Sequence, residues 1–436
     1  MYIAERFSLS AELTDSVEMM SHLLPFRVNE YVLETMIDWS NVPGDPMFQL
    51  LFPQVEMLPS DAADELRRLK AQGWPSAETR TAVRGLRQAM NPHPSGQMEL
   101  NVPMDEADSP IPGLQHKYRE TVLYFPSQGQ SCHAYCTYCF RWAQFVGDSE
   151  LKFAAPDTAE LCNYLRAHPQ VTDVLITGGD PLMMSTERLE SHIRPLLEIP
   201  SVETIRVGTK ALAYWPRRLV ADDDADDLLR LFELIVDSGR TCAVMAHVSH
   251  PRELDPDVAQ VAIGRLHSTG ARVFCQAPLI AHVNDDARTW ARMWATQLRL
   301  GAVPYYMFVE RDTGPSEYFK VPLARAARIF GDAYRTLPGL ARTVRGPVMS
   351  ATPGKIVVDG TVEASGPDGA ADGRRLALRF LQARDTGVVG KPFTARDPGE
   401  AGWVSDLDTF EAPSDVLAAL GGAPRRPRLT LTASSP

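Results

Sequence analysis

A chain of 436 residues and 48.2 kDa with 44% hydrophobic and 23% charged residues is long enough to bury a large core and too apolar to be disordered throughout. A net charge of -11 and a pI near 5.5 exclude a mainly electrostatic hold on nucleic acid or an anionic membrane, so the expected partner is a small molecule. No apolar run approaches the roughly 20 residues that span a bilayer, and MYIAERFSLS has no basic run leading into an apolar segment, so no membrane association and a cytoplasmic location are expected.

Residues 1 to about 60 have the pattern of short helices broken by prolines, as in NVPGDP at 42–47, and 61–91 that of helices rich in Ala, Leu and Arg. The stretch 92–118 is dense in Pro, Gly and Asp and is expected to be an ordered loop or a joint. A helical N-terminal extension over 1–110 follows. From 121 six β-branched or apolar runs alternate with helical segments: TVLYF, VTDVLITGG, VETIRVG, TCAVMAHV, ARVFCQAPLI and AVPYYMFVE. Repeated strand-helix units predict an α/β fold over 111–345, its parallel sheet open or curled into a barrel or part-barrel, with chemistry at the C-terminal strand ends. The segment 346–436 completes the chain. RGPVMSATPGKIVVDGTVEASG at 345–366 has the pattern of a loop leading into a β-hairpin, and GGAPRRPRLTLTASSP that of a frayed tail.

Six cysteines are too few for a secreted disulfide scaffold. Cys162, Cys242 and Cys275 lie among apolar neighbours and are expected to be buried small hydrophobes. Cys132, Cys136 and Cys139 are different, because SCHAYCTYCFRW at 131–142 spaces them C-x3-C-x2-C directly after the TVLYF run. Disulfides need pairs and structural zinc sites need four ligands, whereas three thiolates hold three irons of a [4Fe-4S] cubane and leave the fourth iron open. The alternative is zinc completed by His133 or a distant residue, although no second C-x2-C or H-x3-5-H pair follows.

The cysteine spacing, with Arg141 two residues beyond, resembles the signature of the radical S-adenosylmethionine enzymes, and TGGDP at 177–181 is similar to their glycine-rich segment after the second strand. The resemblance narrows to the lysine 2,3-aminomutase family over about residues 80–360. It is carried by SPIPGLQHKY at 109–118, ITGGDPLMM at 176–184, RVGTK at 206–210, HVSHP at 247–251, Gln276 with HVNDD at 282–286, and PYYMF at 304–308. It implies a partial (β/α)6 barrel of the TIM type, a cluster on Cys132, Cys136 and Cys139, and S-adenosylmethionine seated by Gly178, Gly179, Asp180 and Arg141. Reductive cleavage would then yield a carbon radical that takes hydrogen from substrate, the electron coming from a flavodoxin or ferredoxin. A homo-oligomer is implied as well.

Family members shift an amino group with pyridoxal phosphate condensed on a lysine. Counted without gaps from SEYF, Lys355 falls at that position; the alternative is an exposed lysine after a Pro-Gly turn. The family's HRY-x-x-R phosphate segment appears as HKYRET, with Lys117 and Thr121 at the arginine positions and Arg119 able to reach back. Lysine offers a point charge where arginine offers a fork. Thr137 stands where the family arginine pairs with the substrate carboxylate. Arg311 stands where an acid would neutralise a lysine side chain, which disfavours L-lysine and suits an acidic or non-amino-acid substrate; the alternative is a loop shifted by one residue, in which Asp312 restores a cation site with Glu310 nearby. Gln276 is either a core amide or a cofactor contact, and His247, Ser249 and His250 form either a structural turn or part of the site. The expectation is an aminomutase-like radical isomerase. Its rivals are a radical enzyme without pyridoxal phosphate, performing epimerisation, dehydrogenation or another rearrangement, and a cluster that only senses oxygen or iron.

Overall fold

The structure is a computed structural model that describes residues 2–73, 76–365 and 371–421, in which twelve strands join in one sheet in chain order. The six expected runs are strands β2 (Thr121–Tyr124), β3 (Asp173–Ile176), β4 (Thr204–Thr209), β5 (Thr241–His247), β6 (Arg272–Leu279) and β7 (Val303–Val309). They pair in parallel, each followed by a helix, from Ala159–Ala167 after β2 to Leu323–Arg335 after β7. The loop expected before the C-terminal hairpin is instead a seventh parallel strand, β8 (Arg345–Ser350). Gly346 and Pro347 mask it in the sequence; the β7–β8 register slips between Tyr306↔Arg345 and Phe308↔Val348, and this irregularity absorbs the proline that a regular ladder would reject. The stretch 92–118 likewise contains strand β1 (Leu114–Tyr118), antiparallel to β2.

Strand alternation builds the site and the core together. In β4, Ile205 and Val207 pack among the helices while Arg206 points to the opposite face; in β3, Val174 and Ile176 do so while Asp173 and Leu175 face the other way. Helix Ala225–Asp237 answers with Leu228, Leu231, Phe232 and Ile235 on one stripe. The curled sheet does not close by strand pairing. Side chains span the open side: Lys117 of β1 donates to the carbonyl of Ala351, just past β8, and Arg384, just past the strand Ala371–Ala383, donates to the carbonyl of Leu100 in the helix Gln97–Leu100 at 2.9 Å.

The N-terminal helices clamp the cysteine loop. Phe48, Leu50 and Phe52 pack with Ala134 and Tyr138, and a second apolar cluster joins helices Ser60–Ala71 and Ala77–Ala89 to Cys139, Trp142 and Ala143. Main-chain bonds fix the loop: Tyr135 N to Arg27 O at 2.9 Å and Thr137 N to Leu50 O at 2.9 Å. At the other end β9 (Gly354–Ser365) and β10 (Ala371–Ala383) form the expected hairpin, extended by β11 (Pro392–Arg396) and β12 (Asp408–Glu411) over an apolar cluster that also takes in Val309, Leu323 and Ala324. The expected frayed tail lies, beyond Gly421, outside the described residues. No described helix is long and apolar enough to cross a membrane.

Candidate active site

The cysteine loop follows β2, the Gly178–Asp180 turn follows β3, His247 ends β5 and Glu310 follows β7, so the expected functional segments gather at the C-terminal strand ends. The concave face beneath them is a cleft of about 310 Å³ that runs from Tyr138, Phe140 and Arg141 to Lys355.

Cys132, Cys136 and Cys139 carry free thiols. Burial raises all three above the ordinary thiol range, Cys139 to about 12, and neighbouring thiols add to it at Cys132 and Cys139. Three desolvated thiols in electrostatic reach of one another need a cationic centre before they ionise, and a cluster supplies one. Among the described residues no three His, Cys, Asp or Glu side chains converge on a point that would hold one metal ion. A cubane instead holds its thiolates at separate corners, so these residues fit the cluster.

The glycines of TGGDP serve the cysteine loop. A Cβ on Gly179 would collide with the Ser131 backbone, and one on Gly178 with the Gln130 side chain. Gly179 N donates to Gly129 O at 3.1 Å and Asp180 N to Ser131 O at 2.7 Å, so the turn is pressed against the residue before Cys132. Asp180, expected to seat a cofactor, is buried with its carboxylate saturated by Leu182 N at 3.0 Å, Thr209 Oγ1 at 2.7 Å and Lys210 N at 2.8 Å. Its carboxylate braces the turn and does not line the cleft. Arg141 does face the cleft, its guanidinium 4.0 Å over Phe125 and 5.2 Å over Phe140. Burial lowers its pKa to about 9, which leaves it charged at neutral pH.

Lys355 starts β9 and is not an exposed turn residue. Its ammonium lies in the cleft, 4.5 Å over the Tyr118 ring and 5.5 Å over Tyr306, and donates to Gln382 Oε1 at 2.5 Å. Burial, then the nearby Arg206 and Arg345, bring its pKa down to about 7. Lys117 is drawn into the same cleft and held well below its usual range by burial and by Arg311, Arg384 and Lys355. Arg119 is exposed at the β1–β2 turn, past the end of β1 at Tyr118, and does not line the cleft. Thr121 lines the cleft floor and donates to Asp173 at 3.1 Å. A lysine amine facing an aromatic ring, with a second lysine amine in the same cleft, fits pyridoxal phosphate.

Of the substrate candidates, Arg311 lines the cleft 5.3 Å over Phe140, its Nε without a partner and its Nη2 giving only a 3.4 Å bond to Pro94 O. Asp312 turns away to Asn91. Glu310 lines the cleft, and burial raises its pKa well above the carboxylate range. Thr137 is buried, donating to Gln49 O at 2.8 Å, and touches nothing in the cleft. Gln276 and His247 line the cleft, whereas His250 caps the turn Pro251–Leu254 by accepting from Arg252 N at 3.2 Å. Sequence reasoning missed Tyr118 and Tyr306 beside Lys355, and the Asp173–Arg206 pair at 2.7 Å. Polar residues at inward positions of otherwise apolar strands were the signal for the pair.

The chain is 29% identical over 411 residues, 93% of each partner, to a protein named putative L-lysine 2,3-aminomutase from Aquifex aeolicus (strain VF5). It is 30% identical to the L-lysine 2,3-aminomutase of Acetoanaerobium sticklandii over 228 residues, 52% of this chain and 51% of that one. The chain is a relative of the L-lysine 2,3-aminomutases. It is accordingly an aminomutase-like enzyme, and its cysteine loop resembles that of the radical S-adenosylmethionine enzymes. No family model matches the chain. A radical SAM methyltransferase from Sphaerobacter thermophilus overlaps 66% of this chain and 94% of its own at a TM-score of 0.34 and 15% identity, too loosely to carry an argument.

Proposed function

We propose that this aminomutase relative moves an amino group between neighbouring carbons of a carboxylate-bearing substrate, with pyridoxal phosphate held on Lys355. The observation that supports this is Lys355 itself. Its amine shares a cleft with Arg141, and a pKa of about 7 leaves about half of it uncharged at neutral pH, the form that adds to a carbonyl. When bound, the cluster and S-adenosylmethionine supply a hydrogen-abstracting radical, and pyridoxal phosphate supplies a carrier for nitrogen.

The chain's own residues divide the remaining work. Cys132, Cys136 and Cys139 hold iron, and Arg141 offers its guanidinium to the carboxylate of S-adenosylmethionine. Lys117, drawn into the cleft, would meet a phosphate as a point charge. Arg311 has a donor to spare for the substrate carboxylate, and Glu310, its pKa raised by burial, lines the cleft beside it. Phe140, Tyr118 and Tyr306 keep water from the space between. A low-potential carrier such as flavodoxin or ferredoxin delivers the electron.

A second reading, radical chemistry without pyridoxal phosphate, draws on one observation: the phosphate donors are sparse, because Lys117 already serves Ala351 O, Thr121 serves Asp173, and Arg119 lies outside. One experiment separates the two. The protein is reconstituted anaerobically, loaded with pyridoxal phosphate, freed of excess and reduced with borohydride, and the adduct is mapped by mass spectrometry. A stoichiometric adduct on Lys355 supports amino migration. Its absence in a protein with an intact cluster that still releases 5'-deoxyadenosine leaves the second reading.

A further inference from the structure

Beneath the cysteine loop lies a buried polar network that neither the cleft chemistry nor the fold uses. Tyr214 Oη is 3.2 Å from Cys136 Sγ. The Lys210 ammonium lies 4.5 Å over the Tyr214 ring and is paired at 2.8 Å with Glu253, whose side chain has no exposure. Lys210 Nζ also donates to Ser249 Oγ at 3.2 Å, and Ser249 Oγ is 3.0 Å from the hydroxyl of Tyr138, two residues after Cys136. The other Glu253 oxygen accepts from Ser249 N at 2.6 Å. Every partner is satisfied, so a full buried ion pair and a tyrosine hydroxyl are held rigidly beside one thiol.

Burying an ion pair for stability alone is a poor bargain, since apolar residues of like volume do as well. The placement suits another use. We propose that Tyr214 and Lys210, opposed by Glu253, are positioning residues that act through Cys136 to set the reduction potential of the cluster. This rests on the cluster reading above. Reduction adds one electron, delivered by a low-potential one-electron donor, and places part of it on the thiolate sulfurs; no bond is made or broken at Tyr214. A hydroxyl donating to sulfur and a cation behind it stabilise the reduced cluster more than the oxidised one, and a carboxylate does the reverse.

The test is an EPR-monitored dithionite titration of the reconstituted full chain, with iron content measured in parallel. Tyr214→Phe keeps the ring and removes the donor, and its midpoint is expected to move negative. Glu253→Gln removes the opposing charge, and its midpoint is expected to move positive. Opposite shifts at full iron content are what a merely structural network would not give. A Tyr214→Phe midpoint equal to wild type, shifts of the same sign in both variants, or a Tyr214→Phe protein that loses its iron overturns the proposal. A wild type that takes up no four-iron cluster would instead refute the cluster reading itself.

Discussion

Lys355 sits in surroundings that make its chemistry measurable without substrate. Burial and the cations Arg206 and Arg345 take its pKa from 10.5 to about 7. At pH 7 about half of the amine is then neutral, against roughly 3 parts in ten thousand for an ordinary lysine, a gain on the order of a thousandfold in the reactive form. The assay is the rate of borohydride-trapped pyridoxal phosphate incorporation at Lys355 between pH 5.5 and about 10.5, read by peptide mass spectrometry against a free-lysine peptide. Incorporation should be half-maximal near pH 7. Arg206→Met, which removes the second largest cause of the shift, should move the curve to higher pH. A wild-type half-point above about pH 9 would mean the ammonium is solvated and would refute the reasoning.

Stability gives the same group a second readout. Its folded pKa lies below its unfolded one, so between about pH 7 and 10.5 unfolding takes up a proton, stability rises with pH across that window, and the full penalty is present below it. Lys355→Met should therefore be more stable than wild type at pH 7 by about 1–3 kcal/mol, with the gap closing towards pH 10 in paired denaturant titrations. Gly179→Ala drives a methyl into the Ser131 backbone and should cost about 1–3 kcal/mol; the check is iron bound per chain after reconstitution, and full iron at unchanged stability would contradict it. Phe48→Ala, at the buried centre of the contact between the N-terminal helices and the cysteine loop, should lose about 3–5 kcal/mol in urea unfolding and expose the loop to thiol alkylation. Arg311→Gln should raise KM for a carboxylate substrate on the order of tenfold or more with kcat little changed, and an equal KM would remove Arg311 from the substrate site.

The fold and the site were legible in the sequence to different depths, for physical reasons. Six strands and the helices between them show up because period 2 and period 3.6 are local properties, and the cysteine loop is placed simply by following β2. The seventh strand, β8, was hidden because Gly346 and Pro347 punctuate a loop in isolation, and only the slipped register against β7 makes room for them. Side-chain direction is the harder quantity. Lys117 enters the cleft while Arg119, two residues on, sits outside because β1 has ended; Arg311 enters while Asp312, one residue on, turns to Asn91. Thr137 lies in the cysteine loop yet faces the carbonyl of Gln49, a contact across 88 residues of sequence that no local pattern encodes. The same holds for Gly179 and Asp180, whose partners Ser131, Thr209 and Lys210 come from neighbouring strand ends. A motif therefore names which segments meet, and the packing between segments decides which member of each faces the chemistry. In this cleft that second step leaves Arg311 on the lining with an unpartnered Nε, and Thr137 bonded to the Gln49 carbonyl away from it.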